Sequence, residues 1–345
     1  MTVTDRLIME AGQFKVLLKE LDPTQIVVLT DTNTAEYCLP LFQTDYLSER
    51  PFHHICIDTG EGSKCLETAS SIYESLMASG IDRKSLLINL GGGVVTDLGG
   101  FVGATFKRGM QVINVPTTHL GMVDAALGGK NGVNFKGAKN QIGTFHLVRA
   151  VVTEGRFLNT LPEAELLSGW METVKHALIA DRDLWQGIIS LNPKEAAKDK
   201  AIILRSAKIK MQIAEQDTQD TGIRQSLNFG HTVGHALEAD TALLHGEAAA
   251  FGTIAEVYLS EKMCGLPSDE ARAIVGYIKG LSYPIQDLSI DQDRLTQLMS
   301  YDKKNEGADI RFALISHLGR AEVGINVDTK WIHESLRFAQ QQIST

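Results

Sequence analysis

The chain has 345 residues, of which 43% are hydrophobic and 22% are charged, and its formal net charge is −9. That length exceeds one ordinary hydrophobic core and predicts two domains. The negative charge argues against nucleic acid or an anionic membrane as a partner. Because no apolar run could span a bilayer and the first residues lack a signal-peptide pattern, we expect a cytoplasmic protein.

The four cysteines form no CxxC pair and are irregularly spaced, at Cys38, Cys56, Cys65 and Cys264. We interpret them as reduced thiols in a reducing compartment. A metal site in this chain would therefore use histidines and carboxylates.

Short apolar runs ended by turn residues alternate with helix-like stretches in the first 150 or so residues. Strands are predicted at 26–29, 54–57, 86–90 and 110–115, with a helix at 63–79. This alternation is typical of a parallel sheet with crossover helices. We therefore predict a Rossmann-like α/β domain over residues 1–155.

Long amphipathic stretches dominate after about residue 155, at 164–180, 198–216, 231–239, 247–263 and 269–281. They predict a mainly helical second domain over residues 156–345. One exception is a predicted β-hairpin, with strands at 311–316 and 321–327.

A run of three glycines, Gly91 to Gly93, follows the predicted strand at 86–90. Glycines let the backbone approach a pyrophosphate, and the N-terminus of the next helix offers free N–H groups. The run lacks the GxGxxG fingerprint, and a tight turn that needs positive φ would also explain it. Asp31, at the end of an earlier strand, could accept hydrogen bonds from an adenosine ribose or could cap a helix.

Three cations, Arg108, Lys130 and Lys139, lie among glycines in a stretch without apolar periodicity. We predict a long functional loop here. Lysines near glycine-lined backbone N–H groups suit phosphate or carboxylate ligands. A solvated loop rich in turns is the alternative.

Histidines and one carboxylate suggest a metal site in the second half of the chain. His231 and His235 are four residues apart and share a helix face, His245 opens another predicted helix, and Glu172 could add an oxygen. Two imidazoles and a carboxylate with open coordination positions are typical of catalytic zinc. The pattern leaves open which histidines bind, and an isolated HxxxH pair also occurs as buried structural histidines.

Taken together, these segments resemble the 3-dehydroquinate synthase family over about residues 20 to 330. The motifs that carry the resemblance are Gly91 to Asp97, Arg108-Gly109, Pro116-Thr117-Thr118, Val123-Asp124, Gly128 to Asn134, Ala138-Lys139-Asn140, Glu172 with Lys175, Lys210, Arg224, Asn228 to Glu238, Leu244 to Glu247 and Asp302-Lys303-Lys304.

The resemblance implies a dehydroquinate synthase-like fold, a homodimer, bound NAD and one divalent metal, zinc or cobalt. The implied reaction converts 3-deoxy-D-arabino-heptulosonate 7-phosphate into 3-dehydroquinate and phosphate in the shikimate pathway. It would proceed by transient oxidation with NAD, elimination of phosphate, reduction, and an internal aldol step.

The resemblance also assigns residues. The implied metal ligands are Glu172, His231 and His245. The implied substrate contacts are Arg108 (from either subunit of the implied homodimer), Asp124, Lys130, Asn140, Lys175, Lys210, Arg224, Asn228, His235 and one of Lys303 or Lys304. The implied NAD contacts are Asp31, Asn33, Glu61, Lys64, Gly92, Gly93, Val94, Asp97, Thr117, Thr118, Lys130, Lys139 and Thr160.

Three positions depart from the family pattern. Ala125 stands where many relatives have Ser, Asn131 replaces a common Thr, and Asp220 replaces a frequent Glu. They leave room for another sugar phosphate cyclase. Two further alternatives are a metal- and NAD-dependent dehydrogenase of the glycerol dehydrogenase type and a non-catalytic binding protein.

Overall fold

The structure is a computed structural model that describes residues 6–48, 50–281, 283–285, 288, 290–300 and 310–344. The chain divides into two units, Met1–Pro162 and Glu163–Thr345. The domain limits expected from the sequence, 1–155 and 156–345, remain a prediction. None of the described helices combines the length and hydropathy that a membrane span needs.

A six-stranded sheet forms the centre of the first unit. The strands of this unit are β1 (Leu7–Ile8), β2 (Ile26–Asp31), β3 (His53–Ile57), β4 (Leu86–Gly91), β5 (Gln111–Pro116), β6 (Lys130–Phe135), β7 (Ala138–Phe145) and β8 (Ala150–Val152). The sheet has the order β1-β8-β5-β4-β2-β3, and all neighbouring strands are parallel. The predicted parallel α/β fold is therefore confirmed.

The central strands are buried on both faces, which explains their largely apolar sequence. Leu29 of β2 and Leu87 of β4 are fully buried in a core that also holds Leu76 and Leu98 from two covering helices. The helices of this unit are α1 (Ala11–Leu21), α2 (Thr32–Tyr37), α3 (Leu39–Phe42), α4 (Leu66–Ala78) and α5 (Gly93–Thr105).

The predicted long loop after residue 127 is wrong, because β6 and β7 form an antiparallel hairpin there. Its turn residues, Lys136 and Gly137, have φ of 49° and 80°, as a two-residue type I′ turn requires. Gly132 and Gly143 face each other, and a Cβ on either would lie within 2.6 Å of a carbonyl oxygen opposite. The glycines thus allow close strand pairing, and a Lys-Gly turn lacks the usual Asn-Gly signal.

The second unit is mainly helical, as predicted. Its helices are α6 (Glu163–Ala180), α7 (Arg182–Ile188), α8 (Pro193–Ala196), α9 (Lys200–Gln216), α10 (His231–Asp240), α11 (His245–Met263), α12 (Ser268–Gly280), α13 (Gln292–Ser300) and α14 (Thr329–Ile343). The predicted hairpin is also confirmed, as β9 (Arg311–His317) and β10 (Arg320–Asn326). Helix α11 lies at the centre and packs against α6, α10, α12 and α14.

Asp181 joins two helices of this unit and should contribute measurably to its stability. Its Oδ1 accepts the Leu184 N–H at 3.0 Å, which caps α7, and both carboxylate oxygens accept from Arg205 of α9 at 2.7 Å. We expect Asp181→Ala to lower the free energy of unfolding by about 1–2 kcal/mol, because it loses both the cap and the ion pair. Arg205→Ala should cost less, about 0.5 kcal/mol, because the cap remains.

The same residue gives a pH dependence. Partial burial acts to raise the pKa of Asp181, but the hydrogen bonds from Arg205 and from the Leu184 N–H outweigh burial and hold this pKa below its usual value. A carboxyl with a lowered pKa stabilises the fold above its unfolded-state pKa and loses that contribution as the pH falls through the folded-state pKa. Urea unfolding at neutral and at acidic pH measures both effects. Equal losses for the two variants at neutral pH would contradict the capping role.

Candidate metal centre and cofactor-binding residues

Three helices of the second unit each bring one donor atom to a common point. Glu172 lies on α6, His231 begins α10 and His245 begins α11. The Nε2 atoms of both histidines lie 3.0 Å from Glu172 Oε1 and 3.2 Å from each other. Ligands that hold zinc tetrahedrally at 2.0–2.2 Å are separated by about 3.3 Å. The triangle therefore has the size that three ligands of one tetrahedral ion need.

Hydrogen bonds fix the orientation of both imidazole rings. His231 Nδ1 lies 2.9 Å from the carbonyl oxygen of Phe229, and His245 Nδ1 lies 3.1 Å from Glu238 Oε2. Both acceptors lack a proton to give when Glu238 is ionised, so both Nδ1 atoms donate. The two Nε2 atoms therefore point at the Glu172 oxygen, where either a proton or a metal ion can offset the converging lone pairs. Donation of the second ring N–H to a carboxylate or carbonyl is typical of histidine metal ligands.

The electrostatics agree with a cation at this point. Although burial opposes it, Lys175 and His231 hold the pKa of Glu172 well below its usual range. Burial and the Lys175 charge lower the pKa of His231. Burial also disfavours a charged His245, but the carboxylates of Glu172 and Glu238 outweigh this and raise its pKa to about 10. Without a metal, a proton on His245 can therefore lie between the donor atoms. The same donor set would suit a divalent ion in that position.

Glycines let the three ligand-bearing helices approach one another. A Cβ on Gly252 of α11 would lie 2.1 Å from the Gly230 carbonyl oxygen and 2.8 Å from the Gly234 nitrogen, at α10. A Cβ on Gly246 would lie 2.1 Å from the carbonyl oxygen of Ser168 on α6. The Gly246 N–H also donates to Ser168 Oγ at 2.8 Å. The backbones are in direct contact, which fixes the helix positions that bring the donors together.

His235 lies near the triangle and provides a second possible donor set. Its ring centroid is 5.0 Å from that of His231 and 6.1 Å from that of His245. Ring nitrogens of these three histidines lie within 4.8 Å of one another, and His235 is exposed. The predicted HxxxH pair therefore lies on one face of α10, beside the Glu172 triangle.

Three cationic side chains of the second unit are almost fully buried. Lys175 is 3% exposed, Lys210 is 8% exposed and Arg224 is 2% exposed. Lys175 Nζ forms an ion pair with Glu172 Oε2, and Arg224 Nη1 donates to the Thr218 carbonyl oxygen at 3.4 Å. Asn228 donates through Nδ2 to the Gln225 carbonyl oxygen at 2.9 Å. Buried cations of this kind suit an anionic ligand, since an anion offsets the cost of their desolvation.

The glycine run of the first unit separates β4 from α5. Gly92 caps α5 with a φ of −73°, and none of Gly91, Gly92 and Gly93 has positive φ. The alternative of a turn that needs positive φ is therefore wrong. A Cβ on Gly92 would lie 3.1 Å from Thr118 Cγ2, so the missing side chain leaves the start of the helix open.

Several predicted NAD contacts lie in one hydrogen-bond network. Lys64, which is 5% exposed, donates through Nζ to Asp97 Oδ2 and to Asn140 Oδ1. The Asn140 N–H donates to Asn134 Oδ1 at 2.9 Å, and Asn134 Nδ2 donates to Glu61 Oε1 at 2.8 Å. Burial raises the pKa of Asp97, although Lys64 opposes this. The network attaches the β6–β7 hairpin to residues predicted to bind the cofactor.

The structure also places the other predicted residues of the first unit. Asp31 caps α2 by accepting the Thr34 N–H at 2.8 Å, and Asn33 Nδ2 donates to Thr59 Oγ1 at 3.2 Å. Thr117 is buried, and Val94 and Asp124 are half-buried. The exposed members of the predicted set in this unit are Asn33, Glu61, Arg108, Lys130, Lys139, Asn140 and Thr160. Lys303 and Lys304 lie outside the described residues.

The three departures from the family pattern have local structural settings. Asp220 has a φ of 60°, a left-handed conformation that Asp tolerates better than Glu. Asn131 Oδ1 accepts from Thr144 Oγ1 at 2.7 Å across the hairpin. Ala125 lies beside the glycine run, because a Cβ added to Gly93 would be 3.5 Å from the Ala125 Cβ.

Some residues that shape the metal centre were given no role from the sequence. Glu238 orients His245, Ser168 anchors the start of α11, and Glu256 contacts the start of α10. An acidic residue inside the apolar run of α11 was a signal for Glu256. His231 is oriented by the backbone carbonyl oxygen of Phe229, and a backbone contact of this kind cannot be predicted from residue types.

Solved structures show the class of fold to which this chain belongs. A 2-deoxy-scyllo-inosose synthase, complexed with carbaglucose-6-phosphate, NAD⁺ and Co²⁺, aligns with a TM-score of 0.83 at 22% identity, over 96% of each chain. A 2-epi-5-epi-valiolone synthase from Streptomyces hygroscopicus, with NAD⁺ and Zn²⁺, aligns at 0.82 and 23%, over 97% of this chain and 96% of that one. A probable glycerol dehydrogenase from Sinorhizobium meliloti aligns at 0.66 and 13%, over 97% and 96%. The chain therefore has the fold that these two synthases and the dehydrogenase share.

Sequence comparisons narrow the class to one family. The family model for the 3-dehydroquinate synthase N-terminal region matches residues 54–168, and that for the C-terminal region matches residues 169–305. The 3-dehydroquinate synthase of Parabacteroides distasonis is 39% identical over 96% of this chain and 95% of its own. That of Pyrococcus furiosus is 39% identical over 94% and 95%. The chain belongs to the 3-dehydroquinate synthase family, and the predicted family is confirmed.

Proposed function

We propose that this chain is an enzyme that converts 3-deoxy-D-arabino-heptulosonate 7-phosphate into 3-dehydroquinate and phosphate. Family membership over nearly the whole chain gives the reaction. The converging atoms of Glu172, His231 and His245 are the structural observation that supports it most directly. The assignment of individual residues below is part of the proposal.

Glu172, His231 and His245 would hold the divalent ion, and Gly92 and Gly93 would accept the NAD pyrophosphate at the start of α5. Bound NAD supplies a reversible hydride acceptor, and zinc or cobalt supplies a Lewis acid for the substrate hydroxyls. Three protein ligands leave open the coordination positions that hydroxyl binding requires. The Lys64 network would hold Asp97 and Glu61 in place for the cofactor.

The buried cations Lys175, Lys210 and Arg224 would bind the charged ends of the substrate. A carboxylate and a phosphate held by such groups fix the reacting carbons in position, which removes much of the entropic part of the barrier. Asn228 and His235 would orient the phosphate as it leaves. The remaining proposed substrate contacts are Asp124, Lys130 and Asn140.

We further propose that the enzyme is a homodimer in which Arg108 reaches the phosphate of the partner's substrate. Arg108 is exposed and has a φ of 67°, between Lys107 and Gly109, which also have positive φ. Three such residues in succession turn the chain sharply and direct Arg108 outward. Sedimentation analysis tests the dimer, and Arg108→Ala should weaken substrate binding without changing zinc content.

Removal of the metal should stop the reaction. We expect the purified enzyme with NAD and zinc to release phosphate from 3-deoxy-D-arabino-heptulosonate 7-phosphate, without net accumulation of NADH. Excess chelator should abolish the release and added zinc should restore it, because the ion contributes several kcal/mol to the transition state. A phosphate-release assay with absorbance at the NADH wavelength measures both.

Substrate analogues separate the rival functions. Sedoheptulose 7-phosphate lacks the carboxylate, so kcat/KM for it should be about ten- to a hundredfold lower, from the loss of hydrogen bonds between charged groups. A preference for this analogue would indicate another sugar phosphate cyclase. Steady NADH formation from glycerol would instead indicate a dehydrogenase.

A further inference from the structure

Glu256 of α11 is fully buried and contacts the first turn of α10. Its Oε2 accepts the Gly230 N–H at 2.6 Å, and its Oε1 accepts the Val233 N–H at 3.3 Å. The first N–H groups of a helix need acceptors from outside the helix, and the cap residue usually supplies one. Gly230 is the cap residue here and has no side chain. Glu256 therefore caps α10 from a different helix.

The capped turn carries a metal ligand between its two anchored N–H groups. His231 follows Gly230 directly and precedes Val233 by two positions. The His231 ring is itself held by the carbonyl oxygen of Phe229, just before the cap. The direction of His231 Nε2 thus depends on the backbone from 229 to 233, and Glu256 fixes that backbone.

Glu256 also lies on the helix that supplies a second ligand. It comes eleven residues after His245 on α11, which is about three helical turns, so both residues lie on similar faces of that helix. Gly252 lies one turn before Glu256 and brings the two backbones into contact. The Glu256 carboxylate and this backbone contact therefore act together on the position of His231 relative to His245.

We propose that Glu256 is a positioning residue of the metal centre, which holds His231 in place before the ion binds. The inference rests on the proposed metal centre. A donor set that is already arranged does not spend binding free energy on ordering itself. Residues that orient metal ligands typically change metal affinity by about 10- to 100-fold when they are replaced.

The test is zinc affinity of the metal-free, full-length protein, measured by competition with a chromophoric chelator. Glu256→Gln preserves the shape but presents an NH₂ group to one of the two N–H donors. We expect zinc to bind E256Q about 10- to 100-fold more weakly than wild type. Glu256→Asp keeps a carboxylate and should bind zinc with intermediate affinity, even if E256Q fails to fold.

Glu270→Gln is the matched control. Glu270 is a buried carboxylate on α12 that accepts the Leu318 N–H at 2.9 Å and contacts Arg182, with no bond to α10. The Glu270→Gln substitution should lower the free energy of unfolding while leaving zinc affinity unchanged. A purely structural Glu256 would behave in the same way, and wild-type zinc affinity in E256Q or E256D would overturn the proposal. If wild type itself binds no zinc, the metal centre is overturned instead.

Discussion

Glu172→Gln should abolish tight zinc binding and lower kcat/KM for phosphate release by about 10³-fold or more, which corresponds to roughly 4 kcal/mol of lost metal catalysis. The reason is the position of Glu172 Oε1, which lies 3.0 Å from both histidine Nε2 atoms. Glutamine has nearly the same shape but lacks the negative charge that a divalent ion requires. Zinc content by metal analysis and the phosphate-release assay measure the two effects.

The same substitution should also destabilise the metal-free protein. Lys175 is 3% exposed and forms an ion pair with Glu172, so the substitution leaves a buried cation without that anion. Breaking a buried pair at one end costs about 3–5 kcal/mol, so we expect the free energy of unfolding to fall by an amount of that order. Urea unfolding of the metal-free protein measures this, with Glu270→Gln as the control.

One outcome would change the assignment of the ligands. If E172Q still binds one zinc ion tightly, the three-histidine set of His231, His235 and His245 holds the metal. In that case His235→Ala should abolish zinc binding. If Glu172, His231 and His245 are the ligands, the His235→Ala variant should keep its zinc content and release phosphate more slowly. The two single variants together decide between the donor sets.

Gly252→Ala should lower the free energy of unfolding by about 3 kcal/mol, at the upper end of the usual cost of overpacking. The added Cβ would lie 2.1 Å from the Gly230 carbonyl oxygen and 2.8 Å from the Gly234 nitrogen, and both are backbone atoms. Helices α10 and α11 must then move apart, which also separates His231 from His245. We therefore expect zinc affinity to fall together with stability.

Gly276→Ala is the matched control for that prediction. Gly276 lies within α12, is exposed, and has no atom within 4 Å of the position of an added Cβ. Alanine there should stabilise the protein by up to about 1 kcal/mol through its helix propensity. Thermal unfolding and zinc competition measure both variants. A G252A protein as stable as wild type would contradict the direct backbone contact between α10 and α11.

The central strands could be predicted from the sequence because burial on both faces strongly favours apolar residues, which make up nearly all of 26–29 and 86–90. The long helices of the second unit were also predictable from their periodicity. The β6–β7 hairpin was not, because its strands are polar and its Lys136-Gly137 turn lacks Asn. The hairpin becomes evident only from which residues pair across the two strands, such as Gly132 with Gly143, and composition does not show this pairing.

The candidate metal centre was only partly predictable from residue patterns. Spacing placed His231 and His235 on one helix face, but the carboxylate oxygen 3.0 Å from His231 Nε2 belongs to Glu172, 59 residues earlier. Nothing in local sequence reports contact between segments so far apart, so the choice of Glu172 and His245 rested on family resemblance. The structure adds how the rings are oriented, through Phe229 and Glu238, and how Glu256 holds the backbone at the start of α10.

The strand order also bears on how the α/β unit forms during synthesis. Leu7 and Ile8 of β1 pair with Val151 and Val152 of β8, whereas β2, β3 and β4 pair among themselves. A nascent chain can therefore assemble the β2–β4 part of the sheet early, but β1 has to wait until nearly the whole unit has left the ribosome. Strand pairing across such a long separation is slow, so the edge that β1 completes would be the last to close and the stage most exposed to aggregation.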